Sequence, residues 1–408
     1  MIDRRKRRRS RVACWLLWIT PCGLVLMALQ QQGLTNSYAT LVGMVLALAL
    51  AHRWMWQPGG VPVLMYHSVS TRTDWLPWAD EISVRPKTFT DHLATLQDMR
   101  CNVISAQELV EARQRNISLP QNTIVITLDD GYLDNWVAAF PLLKRFDMPA
   151  TIFVSTDFIE PGTKPRPNLD DVAAGRCKME ELQWEGYLNQ AELQLLQDSG
   201  LIDIESHGTD HSRVSTGPRI VDTLMPHNWR QLAWLQWGAM LGNKSDWFRA
   251  TQPPQFAYGT PVHEHQPALA AYAWHDGITE NEDAYRQRVM QTLQTSRDEL
   301  TRQLGKEVRL FCWPYETTNQ IAHNLALKTG FSATTGGMGE NRSDEAPTVI
   351  SRIPINERAL GWPWPWAERL ALRANVRLFQ GIYYWYLVLL PMHVCRRVYF
   401  QFFAHKRV

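Results

Sequence analysis

The chain begins with two long apolar stretches separated by a short polar patch. Val12–Leu29 is almost wholly apolar, Gln30–Gln32 interrupts the pattern, and Tyr38–Ala51 is apolar again. A membrane-spanning helix needs about 20 mostly apolar residues. The pattern therefore predicts a hairpin of two spanning helices within residues 1–57. A single signal anchor and a cleaved signal peptide are the alternatives.

After residue 57 the pattern changes to short apolar runs that alternate with amphipathic stretches. Six runs have the length and composition of buried strands: Val61–Tyr66, Thr123–Leu128, Ala150–Val154, Leu201–Ile204, Val308–Phe311 and Val349–Ile353. Helical stretches lie between them: Leu133–Phe146, Asn189–Ser199 and Asp283–Leu304. This alternation predicts an α/β domain over residues 58–355, with parallel strands whose carboxyl ends collect the chemistry.

Residues 212–282 interrupt this alternation. The segment is rich in Trp, Pro, Gly and His and shows no clear hydrophobic period. An irregular segment of this length inside a compact domain is usually functional or mobile. We therefore expect an insert that covers the active-site groove or contacts the substrate.

The last segment, residues 356–408, combines basic, aromatic and apolar residues. Arg369, Arg373 and Arg377 recur every four residues, which places them on one helical face opposite an apolar face. The pattern predicts an amphipathic helix that lies in a membrane interface. A helix that caps the soluble domain is the alternative.

Net charge hides an asymmetry along the chain. The whole chain has 42 basic and 40 acidic residues, which excludes a bulk nucleic-acid binder. Residues 1–11 hold seven basic residues and residues 352–408 hold nine, so residues 12–351 carry a net charge of −11. Two basic ends indicate contact with anionic membrane lipid, and the positive-inside bias favours a cytoplasmic body at a bacterial inner membrane. A periplasmic or extracellular body is the alternative.

Two carboxylates follow directly on a buried strand. Asp129 and Asp130 come after the run Thr123–Leu128 and precede Gly131. In an extended chain neighbouring side chains point to opposite sides, so one carboxylate can bind a metal ion while the other handles protons. An ordinary Asp-Gly turn would look the same, so this motif needs a second one.

The second motif follows another strand-like run. His207 and His211, separated by three residues, come after Leu201–Ile204. Two histidines at this spacing can meet one metal ion. The third motif, Trp313-Pro314-Tyr315, follows the run Val308–Phe311, and its rings can form the wall of a sugar-sized groove.

These motifs, with Val63–Ser68 and Pro149–Val154, resemble the polysaccharide deacetylase family, carbohydrate esterase family 4. The branch they resemble removes N-acetyl groups from poly-N-acetylglucosamine and related surface glycans. The resemblance extends over about residues 61–355. It implies a distorted (β/α)7 barrel with a divalent metal ion, expected to be Zn²⁺, at its mouth.

The resemblance also implies residue roles. Asp130, His207 and His211 match the metal ligands, and Asp129 matches the catalytic base. His67 matches a histidine near the active site in the poly-N-acetylglucosamine branch. Asp129 would take a proton from a water made acidic by the metal, while the metal polarises the acetamide carbonyl.

The third motif departs from the family pattern. Cys312 and Trp313 stand where the family has an Arg before the Pro, and Glu316 stands where it has a Gly. Within the region that resembles the family, no Leu-x-x-His element, from which many members supply the catalytic acid, follows the third motif. His67 is the first candidate for the acid, and His263–His265 in the insert is the second.

Two functions of different classes follow from these observations. The first is a metal-dependent hydrolase that removes N-acetyl groups from an N-acetylhexosamine-containing polysaccharide or lipid-linked glycan, with polysaccharide-synthesis machinery as a partner. The second is a non-catalytic glycan-binding or scaffold subunit of a membrane polysaccharide assembly complex. The complete set of Asp129, Asp130, His207 and His211 favours the enzyme, because binding alone does not need it.

Overall fold

The computed structural model describes residues 3–402, which fall into two compact units. The first unit contains the N-terminal segment up to Pro62, Met338–Glu345 and the C-terminal segment from Arg358. The second unit contains Val63–Gly337 and Ala346–Glu357. All of the sequence motifs named above lie in the second unit.

The strands lie in the second unit and are mostly short. Within the described residues they are β1 (Val63–Tyr66), β2 (Ser68–Val69), β3 (Ser83–Val84), β4 (Asn102–Ile104), β5 (Thr123–Leu128), β6 (Ala150–Val154), β7 (Ile202–Ser206), β8 (Arg213–Thr223), β9 (Pro261–Pro267), β10 (Trp274–His275), β11 (Ile278–Thr279), β12 (Leu310–Phe311), β13 (Ala333–Thr334) and β14 (Ile353–Pro354).

The main sheet is parallel throughout and has the order β13-β12-β7-β6-β5-β1-β14, with β4 paired to β5. It curls into a half-barrel, which confirms the predicted α/β fold of distorted-barrel type. Every residue of β5 and β6 is buried, as expected for central parallel strands that are covered on both faces. Because the strands are parallel, their carboxyl ends share one edge.

Helices connect these strands and also form most of the first unit. They are α1 (Arg4–Gln31), α2 (Ser37–Met55), α3 (Ala79–Ile82), α4 (Pro86–Asp98), α5 (Ala106–Gln114), α6 (Phe140–Phe146), α7 (Leu169–Ala173), α8 (Gln190–Asp198), α9 (Ala233–Ala239), α10 (Glu282–Leu304), α11 (Gln320–Lys328), α12 (Pro365–Phe379) and α13 (Tyr386–Phe402). Asn189 caps α8 in a capping box with Glu192, and α10 ends at Gly305, which has a φ of 65°.

Two predicted elements differ from the observed ones. The stretch Leu133–Phe146 begins with a π-helix, Asn135–Ala139, before α6 starts. The predicted strand Val349–Ile353 is reduced to β14, while Val349 itself forms an isolated parallel bridge to Thr334. The backbone thus changes partners within this run, which hydrophobicity alone does not reveal.

The insert contains an antiparallel hairpin that its sequence did not predict. β8 and β9 pair along their length, but the register shifts between Ser215 and Ile220 and again before Asp222. These irregularities destroy the two-residue alternation by which strands are recognised. Aromatic residues from the insert and from neighbouring loops form one buried cluster, which includes Trp75, Tyr132, Phe158, Tyr187, Trp229, Trp234, Trp237, Trp247 and Phe248.

In the first unit, α1 and α2 form the predicted helical hairpin. Trp18 on α1 donates its indole N–H to the carbonyl of Ala47 on α2 at 3.0 Å. Both helices are long and apolar enough to cross a membrane, and little of their surface is buried. At the base of the hairpin, Val12 and Met55 pack with residues of α12 and α13.

The C-terminal segment contains a helix, α12, over part of the stretch predicted to be amphipathic. On α12 the small and apolar residues Ala367, Leu372 and Ala374 are buried, whereas Arg369 and Arg373 are exposed. Residues 403–408, which include the basic residues Lys406 and Arg407, lie outside the described residues. Contact of this segment with a membrane stays a prediction.

Candidate active site

The carboxyl ends of β1, β5, β7 and β12 open into a cavity of about 530 Å³. Its wall contains most of the residues predicted from the sequence, namely His67, Asp129, Asp130, His207, His211, Trp313 and Tyr315. Pro314 lines a neighbouring cavity of about 940 Å³ instead. The parallel topology thus brings together residues that are far apart in the sequence.

Asp129 and Asp130 diverge because the backbone turns between them. The N–H of Asp129 donates to the carbonyl of Tyr66 at 3.0 Å, which continues the pairing of β5 with β1. Asp130 then has a φ of 72°, and Gly131 has a φ of 66°. A positive φ costs a residue other than glycine about 1–3 kcal/mol. Such strain at a strand end is typical of a functional position.

Asp130 faces two imidazoles. Its Oδ1 lies 3.2 Å from Nε2 of His207 and 2.9 Å from Nε2 of His211, and the two Nε2 atoms lie 2.8 Å apart. The Oδ1 atom is buried and makes no hydrogen bond within the described residues. Burial alone raises the pKa of the Asp130 carboxyl, but the facing imidazoles outweigh it and hold this pKa well below its usual value.

Neighbouring groups hold both histidines in place, His207 through its ring and His211 through its backbone carbonyl. His207 Nδ1 lies 2.9 Å from the carbonyl oxygen of Cys312, and this oxygen can only accept, so Nδ1 carries a proton. The other nitrogen, Nε2, therefore faces Asp130. Tyr315 donates its hydroxyl to the carbonyl of His211 at 2.7 Å. Outer contacts of this kind are typical of histidines that bind metal ions.

A second group of potential ligands lies beside the first but fits a metal ion poorly. Asp129, His207 and Cys312 also bring their ligand atoms within 4.8 Å of one another. Burial raises the pKa of the Cys312 thiol to about 11, so the thiol is protonated at neutral pH. Asp129 already forms an ion pair with Arg352. The set of Asp130, His207 and His211 is therefore the better metal site.

Arg352 holds Asp129 in a buried bidentate ion pair. Its two terminal nitrogens donate to Oδ1 and Oδ2 of Asp129 at 2.6 and 2.7 Å, and it also pairs with Glu316. Burial alone raises the pKa of Asp129, but the Arg352 charge reverses the effect and lowers this pKa. Asp129 is therefore ionised and fixed in orientation.

Sequence reasoning missed Arg352. The family pattern has an arginine just before Pro314, whereas Arg352 lies directly before β14. β14 pairs with β1, and β1 pairs with β5, so the sheet brings Arg352 next to Asp129. The only signal in the sequence was a charged residue within the mostly apolar run Val349–Ile353.

His67 also lies near Asp129. Its Nε2 is 3.9 Å from Oδ2 of Asp129, and its Nδ1 is buried without a hydrogen-bond partner among the described residues. Burial lowers the pKa of His67, although Asp129 and Asp130 oppose this effect. In the second group that the sequence offered as an acid, His263 contacts the carbonyl of Pro218 and does not line the cavity, whereas His265 does line it.

The third motif forms the wall beside His211. Tyr315 and Glu316 have φ values of 59° and 50°, so two successive residues adopt the left-handed backbone conformation. The Tyr315 ring packs edge-on against His211, with the ring centres 4.9 Å apart. The Trp313 side chain is fully buried, and the backbone N–H of Trp313 donates to the hydroxyl of Thr335 at 3.0 Å. The backbone strain thus fixes an aromatic wall.

The sequence as a whole matches one family. The profile described as polysaccharide deacetylase matches residues 116–334, just over half of the chain and most of the site. The chain belongs to the polysaccharide deacetylase family. This confirms the family that the motifs indicated.

Curated relatives extend the same result. A putative polysaccharide deacetylase of Bacillus subtilis, YxkH, is 33% identical over 98 residues, which is 24% of this chain and 33% of that protein. The poly-β-1,6-N-acetyl-D-glucosamine N-deacetylase of Escherichia coli is 20% identical over 303 residues, which is 72% of this chain and 37% of that protein. The chain therefore spans about a third of the length of these relatives. The expected resemblance to the poly-N-acetylglucosamine branch is confirmed.

Solved structures of deacetylases share the fold of this chain. A de-N-acetylase from Aggregatibacter actinomycetemcomitans has a TM-score of 0.51 at 20% identity and covers 72% of this chain and 94% of its own. The deacetylase domain of BpsB from Bordetella bronchiseptica has a TM-score of 0.50 at 24% identity, covering 73% and 97%. At these identities the likeness shows the fold alone.

Proposed function

We propose that this chain is a metal-dependent hydrolase that removes N-acetyl groups from an N-acetylhexosamine-containing glycan. The observation that carries the proposal is the pairing of two differently surrounded carboxylates at one strand end. Asp130 converges with His207 and His211, while Asp129 is ionised and held beside them by Arg352. Amide hydrolysis needs both an electrophilic centre and a positioned base.

The residues present fit a divalent cation. The buried Oδ1 of Asp130 has no hydrogen-bond donor, and two imidazole nitrogens face it within 3.2 Å. One carboxylate and two imidazoles are ligands that suit Zn²⁺, which is the ion we propose. Such an ion supplies Lewis acidity, which polarises an acyl oxygen and makes a water more acidic.

The chain's own side chains then move the protons. Asp129 accepts a proton from the attacking water, because it is ionised and its orientation is fixed by two hydrogen bonds from Arg352. His67 lies 3.9 Å from Asp129 on the cavity wall. A proton taken up by Asp129 can therefore pass to His67 and on to the leaving amine nitrogen, and acetate and a free amine result.

The substrate proposal combines the relatives with the shape of the site. The Escherichia coli relative is named for poly-β-1,6-N-acetyl-D-glucosamine. In this chain Trp234, Trp237, Trp313 and Tyr315 line the cavity, and the exposed ring of Tyr315 suits the apolar face of a sugar ring. We propose an N-acetylglucosamine glycan, either as polymer or still attached to a lipid carrier, with polysaccharide-synthesis machinery as a partner.

Acetate release tests this function directly. Purified full-length chain with Zn²⁺ should release acetate from N-acetylglucosamine oligomers, and a chelator should abolish the release until metal is restored. A scaffold subunit that only binds glycan would bind the same oligomers without releasing acetate. The absence of release from every N-acetylated oligomer tried, with metal present, would therefore favour the scaffold.

We also propose that the first unit attaches the chain to a bacterial inner membrane. Large apolar side chains on α1 and α2, such as Leu17, Leu24 and Leu46, are exposed, and exposed Trp362, Trp364 and Trp366 precede the buried face of α12. Lipid tails suit the apolar side chains, and tryptophans suit the membrane–water interface. The basic start of α1 favours a cytoplasmic catalytic unit.

Thiol labelling can determine the side of the membrane. Cys177 lies in the second unit, is partly exposed and forms no disulfide. A membrane-impermeant maleimide should label Cys177 only after cells are opened if the catalytic unit is cytoplasmic. Labelling in intact spheroplasts would instead place this unit outside. A variant with the other five cysteines replaced makes the label specific.

A further inference from the structure

Arg213, the first residue of β8, is a cation in the cavity wall without a carboxylate partner among the described residues. Its guanidinium carbon lies 4.6 Å from the centre of the Tyr315 ring, and its Nε is buried without a hydrogen bond. Glu316 is engaged by Arg352, and Glu81, which also lines the cavity, lies beyond ion-pair distance. A half-buried guanidinium that lacks a counter-charge favours an anion from outside.

Two indole groups in the same wall also lack partners. Nε1 of Trp237 and Nε1 of Trp313 are buried and make no hydrogen bond within residues 3–402, and both side chains line the cavity. The exposed fractions are 4% for Trp237 and 0% for Trp313. An indole N–H can only donate. Both indoles are covered, so the half-buried guanidinium of Arg213 is the donor in this part of the wall that a ligand can reach.

Arg213 borders two cavities. Arg213 and Trp234 line both the catalytic cavity and the neighbouring cavity of about 940 Å³. Tyr315 contacts Arg213 on one side and His211 on the other, with ring centres 4.9 Å apart for the second pair. Arg213 therefore lies within about 10 Å of the His211 ring. This distance places it beside a glycan unit adjacent to the unit that is deacetylated.

We infer that Arg213 binds an anionic group of the glycan, a phosphate or a carboxylate, and so selects an acidic or phosphate-linked substrate over a neutral one. The inference rests on the proposed deacetylase function and names its substrate class. A guanidinium donates two parallel hydrogen bonds to either anion. A phosphate would come from the pyrophosphate of a lipid-linked glycan, and a carboxylate would come from a uronic acid unit.

The test compares three N-acetylglucosamine oligomers of equal length. One is neutral, one carries a terminal pyrophosphate ester, and one alternates with uronic acid. Arg213→Gln should raise KM for the preferred anionic oligomer about 10- to 100-fold and leave kcat and the neutral oligomer within about twofold, as for loss of a charge-assisted hydrogen bond. The anionic oligomer that wild type prefers identifies the source of the anion.

Matched variants separate binding from folding. Arg219 lies on the same strand, is exposed, and pairs with Glu264 at 2.9 Å, so Arg219→Gln should change none of these values. Arg213→Lys should retain part of the preference, since it keeps the charge but loses the bidentate geometry. Arg213→Gln should melt at the wild-type temperature, which shows that the effect is not loss of fold.

The inference and the proposed function can fail separately. Direct binding of the same oligomers to the full chain by calorimetry does not depend on turnover. If no oligomer releases acetate but the anionic one binds through Arg213, the proposed function fails and the anion site stands. If wild type treats neutral and anionic oligomers alike, or if Arg213→Gln weakens both equally, the anion site is wrong.

Discussion

Asp129 and Asp130 are adjacent in the chain but have different partners. Asp129 receives two hydrogen bonds from Arg352, and both side chains are almost fully buried. Asp130 faces the Nε2 atoms of His207 and His211, and its Oδ1 has no donor among the described residues. The counter-charge of Asp129 is thus supplied by Arg352. Asp130 instead forms, with two imidazoles, a set of ligands that suits a bound cation.

This difference explains how two identical side chains can take different roles. A carboxylate that is held by a permanent cation stays ionised and oriented, which suits a base. A carboxylate grouped with imidazole nitrogens suits a metal ligand. The backbone turn at Asp130 and Gly131, with φ values of 72° and 66°, keeps the two sets apart. The comparison is tested by removing one partner at a time.

The largest effect is expected at the Asp130 group. His207→Ala removes one of the three converging ligands, so bound metal should be lost and activity should fall by more than about 100-fold. Metal content by elemental analysis and acetate release measure the two effects. His263→Ala, which alters a histidine outside the cavity wall, should retain both. A His207→Ala protein with full metal content would contradict the ligand assignment.

The next effect separates the two carboxylates. Asp129→Asn keeps the shape of the side chain and the metal ligands, so metal content should stay at the wild-type level. The rate constant kcat should fall about 10²- to 10⁴-fold, because an amide cannot accept the proton. Wild-type turnover would show that another group is the base, whereas loss of metal would show that the two carboxylates are not separate in function.

A smaller effect is expected from Arg352, which acts through Asp129. Arg352→Gln leaves Asp129 buried without its counter-charge, which should lower the free energy of unfolding by about 3–5 kcal/mol. Arg352→Gln should also lower kcat, because Asp129 loses the group that orients it. Arg352→Lys should retain part of kcat at unchanged KM, because lysine keeps the charge. Arg85→Gln breaks an exposed pair with Glu357 and should cost less than about 1 kcal/mol. Equal kcat in both Arg352 variants would leave only a structural role.

The smallest effect is expected at Cys312. Its thiol lies 3.0 Å from a terminal nitrogen of Arg352, while its backbone carbonyl orients His207. Cys312→Ser keeps the carbonyl, so metal should be retained and kcat should fall only about 2- to 10-fold, the effect of one altered hydrogen bond. Loss of metal in Cys312→Ser would instead make the thiol a ligand and reverse the choice between the two groups.

Much of the site was predictable because it depends on short segments at strand ends. The run Thr123–Leu128 is a strand with the bounds that hydrophobicity predicts, and Asp129 and Asp130 follow it directly. His207 and His211 follow β7 in the same way, although β7 begins and ends later than expected. In a parallel sheet such positions share one edge, so local sequence was sufficient to predict that they meet.

Other features depend on contacts between distant segments. The hairpin β8–β9 lacks alternation because its register shifts, and its strands are recognised only once they pair. Arg213 acquires its unmatched position only when this hairpin lies beside Tyr315. Arg213 belongs to no pattern that an amphipathic helix or strand would show.

The sequence by itself determined the α/β class, the apolar hairpin at the N-terminus and, through its motifs, the family. The class and the hairpin follow from hydrophobic period and composition, and each motif follows from residues close together at one strand end. That Asp130, His207 and His211 bind a metal ion stays a prediction. The tertiary structure alone decided that Arg352 neutralises Asp129, since the order of β14, β1 and β5 in the sheet brings the two together. Charge pairing across a sheet depends on strand order, and hydrophobic pattern does not encode strand order.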